Sequence, residues 1–195
     1  MVTASTTGET SGDGRSLAYQ QGVAYLQAMQ HLALDPAMVT GLQPFPGSQA
    51  IVAWIGTHQQ RLNAQIQAHL QACHECFHPH ARPPVQLFAV PLSPAFGFDG
   101  LCNYATQPIT LLVDLGRVVP HHWQRLVVHE YAHAQAGIPG HHDRFVAALT
   151  HLCLGLGLAE PPNHPTSWPH WPPCQPTSDP LAFWRGQTET LIPGH

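Results

Sequence analysis

His129, Glu130 and His133 spell H-E-x-x-H, and a further pair, His141 and His142, follows a glycine-proline break. Positions i and i+4 of an α-helix lie one above the other on the same face. His129 and His133 can therefore offer two imidazole nitrogens to one ion, with Glu130 beside them to hold a water. Gly137 and Pro139 should end the helix, because glycine accepts the left-handed cap and proline cannot continue the ladder. The chain then turns back, and His141 or His142 can supply a third ligand, with Asp143 and Glu160 as lesser alternatives. Three protein ligands and one open position make the catalytic arrangement of zinc, whereas structural sites are closed by four.

Zinc held by neutral histidines lowers the pKa of its water towards neutrality. Glu130 would take that proton as general base and pass it to a leaving amine as general acid. A peptide carbonyl is the natural electrophile. The expected function is a zinc-dependent peptidase working through a metal-activated water, with a peptide or protein as substrate. The competing expectation is a zinc-binding interaction module without useful proteolysis, and Glu130 speaks against it, since a structural site has no need of that carboxylate. Tyr104, His121 and His122 are the candidates for stabilising an oxyanion.

Several elements must position these groups. Around the motif, Trp123, Val127, Tyr131 and Ala134 form one side of the helix and the two histidines another, as in a core helix that borders a cleft. Val85–Val90 and 109–113 are apolar and partly β-branched, and Leu101–Tyr104 is a further short strand candidate. Together they predict a small sheet laid on the motif helix. Helices are expected over 16–33 and 48–77, packed behind the site, and over 145–156, ended by Gly155 and Gly157. The fold class is α+β. Asp114, at the end of the 109–113 strand, could accept the second N–H of a ligand histidine, but reads more simply as a strand-end carboxylate.

The segment Gly140-His141-His142-Asp143-Arg144-Phe145 resembles the G-H-x-x-x-F signature that follows H-E-x-x-H in SprT-like and WLM-type zinc peptidases. The similarity spans roughly residues 85 to 155, including the apolar strand shortly before the motif helix. It implies a small zincin-like domain, zinc as cofactor, and His141 as the third ligand beside His129 and His133. The metzincin pattern does not fit: Ala136 and Pro139 stand where it has glycine and histidine, and all three methionines lie upstream of the motif.

Composition bounds the rest. The chain has 195 residues, 16 of them histidine, no lysine, and a net charge of −4. Its seven arginines are scattered, so no basic face announces a nucleic-acid partner, and the basic extensions and cysteine zinc ribbon of many SprT-like proteins are not evident in these residues. No stretch approaches 18 apolar residues, so no membrane span is expected. Residues 1–15 are small and polar and should be unstructured. Their lack of an apolar signal segment predicts a cytoplasmic location, and five cysteines agree with free thiols. Cys73, Cys76, His78 and His80 crowd together but lack the second ligand pair of a structural zinc site. The domain is expected over 16–160. In 161–195 the first twenty residues carry eight prolines, which excludes helix, while Trp168, Trp171 and Trp184 favour docking on the domain.

Overall fold

Two long helices, α1 (Ser11–Leu32) and α2 (Ser48–Glu75), pack side by side at the back of the molecule. The computed structural model describes residues 11–188. α1 begins five residues before the apolar periodicity does, and the rest of the expected unstructured stretch, 1–10, lies outside the described residues. Glycine makes the close approach of the two helices possible. A Cβ at Gly22 would fall on the Val52 carbonyl, and one at Gly56 on that of Ala18. Between the helices Asp35 caps a short 3-10 turn, its carboxylate accepting from Ala37 N at 2.8 Å, with Pro36 in the first turn where no donor is needed.

Three short strands follow, β1 (Val85–Ala89), β2 (Gly100–Asn103) and β3 (Ile109–Val113). Their order is β1-β3-β2, with β1 parallel and β2 antiparallel to β3. Side chains of the helices close the outer edge of β1. Asn63 Oδ1 accepts from Ala89 N at 2.9 Å, Tyr25 Oη donates to Ala89 O at 2.7 Å, and Gln67 Nε2 donates to Leu87 O at 3.1 Å. β2 has no strand partner on its other side among the described residues. The sheet thus presents one sealed edge and one open edge, and unpaired strand edges are where an extended chain can add.

The motif helix α3 (Trp123–Ala136) lies between the sheet, α2 and α4 (Asp143–Gly155). Its apolar side is buried as the spacing predicts: Trp123, Val127, Tyr131 and Ala134 are all inside. Gly137 closes it in the left-handed region at φ +71° and donates to His133 O at 3.1 Å. The fold is α+β, with a small mixed sheet and a larger helical share.

The proline-rich segment is docked, at least through residue 188. Its backbone pairs with the approach to α3, through Val119 N to Gln175 O at 3.1 Å and Thr177 N to Arg117 O at 2.8 Å. A 3-10 helix over Pro165–His170 corrects the expectation of no helix in 161–180, and α5 (Pro180–Trp184), capped by Asp179, follows it. Both start on proline, which is tolerated in a first turn. Trp184 is fully buried and donates through Nε1 to Asp114 Oδ1 at 2.7 Å. Burying a side chain of this size stabilises the docked segment by on the order of 3 kcal/mol.

Candidate metal centre

His129 and His133 stand one turn apart on α3, and the turn through Gly140 brings His141 back over them. One ring nitrogen from each of the three lies within 4.8 Å of the others. The Nε2 atoms of His129 and His141 are 3.2 Å apart. Two nitrogens each bound to zinc at the usual length and a tetrahedral angle would be separated by about 3.3 Å, so the spacing fits such an ion. Phe145, fully buried at the start of α4, packs against all three rings, with centroid distances of 5.2, 4.4 and 4.7 Å. The aromatic that follows the third histidine is therefore the floor that fixes the three imidazoles.

The protonation states also suit a cation. Burial holds His129 down to about 4 and His133 down to about 3, and lowers His141 as well, with the neighbouring histidines adding to each. His129 Nδ1 lies 2.7 Å from the carbonyl of Trp171. A carbonyl only accepts, so the neutral ring carries its proton on Nδ1 and keeps the Nε2 lone pair for the cluster. The docked C-terminal segment thus supplies the outer partner that sets the tautomer of this histidine.

Glu130 is 5% exposed, and its carboxyl makes no hydrogen bond or ion pair among the described residues. Burial, with Asp99 adding to it, pushes the group up to about 8. A buried carboxyl with no partner is costly to keep ionised, and a positive charge at the histidines would bring it back towards the carboxylate. Its place is made by Gly100 of β2, where a Cβ would stand 2.6 Å from Glu130 Oε1.

These groups line a cleft of about 570 Å³. One wall is the open strand and its approach, from Phe98 to Cys102, with Tyr104 beyond. The second is the exposed side of α3, including Arg125. The third is the C-terminal segment, with Pro169, His170, Pro172, Pro173 and Cys174.

The other sequence candidates fall elsewhere. Among the described residues the three histidines are the one group of ligand-type side chains close enough to share an ion. His142 is the residue before α4 and outside that group; Asp143 and Glu160 are exposed and also outside it. Cys73 is buried in the core, Cys76 donates to Ala72 O at 3.4 Å, and His78 stacks on His80, so these side chains do not converge on one point. Asp114 touches no histidine. It accepts from Leu92 N, Gly116 N, Arg117 Nε and Trp184 Nε1, which ties the end of β3 to α5. Tyr104 Oη donates to His133 O at 3.0 Å, with Ile138 O at 3.1 Å sharing the hydrogen. His121 and His122 do not line the cleft, and His122 Nδ1 accepts from Gln175 N at 2.8 Å.

Three contributors escape a reading of the sequence: Gly100, the Trp171 carbonyl and His170. Glycine at a strand start and a main-chain carbonyl carry no signal of their own. His170 sits in a run whose docking is legible from its tryptophans but whose direction is not. No family model, curated protein or solved structure matches the chain.

Proposed function

We propose that this chain is a zinc-dependent peptidase of the SprT-like or WLM type, built on a small zincin-like domain. The observation that carries the reading is the convergence of His129, His133 and His141 beside a buried, unpartnered Glu130. A site that only held a metal for structure would bury no spare carboxyl against it.

His129 and His133 on α3, with His141 from the returning turn, would hold the ion. Bound there, zinc would acidify a water and polarise a carbonyl. Glu130 accepts a proton from the attacking water as the oxygen–carbon bond forms and the carbonyl π pair moves onto oxygen. It then delivers that proton to the amide nitrogen as the carbon–nitrogen bond breaks and the carbonyl re-forms. One water is consumed, and an acid and an amine leave.

The open edge of β2 favours a peptide as substrate. Asp114 N donates to Asp99 O at 2.8 Å, so the antiparallel alternation turns the backbone groups of Gly100 and Cys102 away from β3. Both residues line the cleft. An extended peptide laid along that edge would satisfy those groups and pass its carbonyls over Glu130.

The test is cleavage of an unfolded protein by the purified chain after zinc loading and after chelation. Cleavage restored by zinc supports the reading. A chain that takes up one zinc and cleaves nothing is the interaction module instead. One that takes up no zinc on titration removes both.

A further inference from the structure

Hydrolysis places negative charge on the substrate's carbonyl oxygen, and a donor aimed at that oxygen is a large part of how such sites work. The outward backbone N–H groups of Gly100 and Cys102 would serve the peptide strand itself, and most side-chain donors around the cleft are already spent. Tyr104 Oη serves the carbonyls at the end of α3, and Arg125 Nη1 donates to Pro173 O at 2.7 Å. The Cys174 thiol faces Pro172 O at 3.6 Å, and thiols are weak donors in any case.

His170 is different. It lines the cleft, is exposed, and its ring makes no hydrogen bond among the described residues. It also stands outside the set of three histidines whose nitrogens lie within 4.8 Å of one another. His170 and that cluster line the same cleft, so a substrate held there is in reach of both.

The backbone that carries His170 is fixed on both sides. Trp168 Nε1 donates to Pro162 O at 2.9 Å, and Trp171 Nε1 to Ala159 O at 3.0 Å. Trp171 N closes the 3-10 turn on Trp168 O at 3.2 Å, and its carbonyl holds His129 Nδ1. The residue next to His170 is thus locked to a candidate ligand of the metal. Such a locked backbone is how a donor is held ready before the reaction.

We propose that His170 is a catalytic residue of this site, donating an imidazole N–H to the substrate carbonyl oxygen as it becomes negative; this rests on the peptidase reading above. No proton is transferred in the step. The carbonyl π pair moves onto oxygen when water attacks, the N–H stabilises that charge, and the pair returns when the carbon–nitrogen bond breaks. An imidazole carries at least one N–H in either of its protonation states.

The experiment uses the full chain loaded with zinc, an internally quenched peptide built on a bond it cleaves in reduced, carboxymethylated casein, and a phosphinic analogue of that peptide. His170→Ala should lower kcat by about 10²–10³-fold, the usual loss on removing one such donor, with KM within about threefold because the ground-state carbonyl gains little from it. The phosphinic analogue should lose affinity for the variant by a comparable factor. His170→Gln, which keeps an N–H donor, should recover at least about tenfold of kcat over alanine. Zinc affinity, read by competition with a chelator, should be unchanged. Wild-type kcat in His170→Ala overturns the proposal and leaves the peptidase reading standing. So does a loss that glutamine does not rescue and that tracks weakened zinc binding, which would make His170 structural. Absence of cleavage by the wild type overturns the peptidase reading and this proposal with it.

Discussion

The carboxyl of Glu130 occupies the space that a side chain at residue 100 would need: a Cβ on Gly100 would stand 2.6 Å from Glu130 Oε1 and 2.8 Å from its Cγ. The atoms in the way, Oε1, Cδ and Cγ, all belong to the Glu130 side chain and none to backbone, so the strand can accept alanine by turning that side chain aside. Gly100→Ala should keep the fold, with a denaturation midpoint corresponding to less than about 1.5 kcal/mol of change. It should also keep zinc. Peptidase activity should fall towards the loss of a general base, about 10²-fold or more. Full activity in a folded Gly100→Ala would mean that the position of this carboxyl is not what the chemistry uses.

The Trp171 carbonyl and His129 Nδ1, 2.7 Å apart, join the C-terminal segment to the metal centre. Trp171→Ala removes the indole that anchors this carbonyl to Ala159 O. Zinc affinity should drop by about 10–100-fold, the range for losing an outer partner of a ligand histidine. Trp171→Phe keeps the ring but not the N–H and should fall between. Chelator competition reads both. Unchanged affinity in Trp171→Ala would show that His129 needs no help from the segment.

Much of this was legible in the residues. The apolar spacing around 123–136 gave the core helix, Gly137 its stop, and the break at Gly137 and Pro139 the return of His141 or His142, because those are local consequences of period and backbone freedom. Asp114 shows where such reasoning ends. A carboxylate at a strand end next to a histidine motif can serve either the metal or the backbone, and here Leu92, Gly116, Arg117 and the distant Trp184 together take up its oxygens. The 3-10 helix over Pro165–His170 is hidden from the sequence for a related reason. Proline forbids a long helix but not a single turn that begins on it. The position of His170 follows from where its neighbours Trp168 and Trp171 dock, which their types do not specify.

Without metal, the centre should leave its mark on stability as pH changes. Burial lowers His133 from 6.5 to about 3 and His129 to about 4. Below pH 6.5 the unfolded chain takes up protons on these rings that the folded chain refuses, so stability is lost as pH falls from 6.5 towards those values. Glu130 runs the other way. It is raised from 4.5 to about 8, so the folded chain holds a proton that the unfolded chain releases, and stability is lost as pH rises from 4.5 to 8. Denaturant midpoints of the chelated protein check both signs. Relative to wild type, His133→Gln should decline less between pH 6.5 and 4, and Glu130→Gln should decline less between pH 6.5 and 8. Parallel curves for wild type and both variants would mean that neither group is perturbed by the fold.

The central claim is that Glu130 does the proton transfer at a metal held by His129, His133 and His141, and Glu130→Gln tests it most directly. Glutamine keeps the size of the side chain and removes the proton acceptor. Zinc content and cleavage of an unfolded protein are measured together on wild type and variant. The account predicts one zinc per chain in both, and a rate lower by about 10²–10⁴-fold in the variant. Equal cleavage by the two proteins at equal zinc content would contradict it.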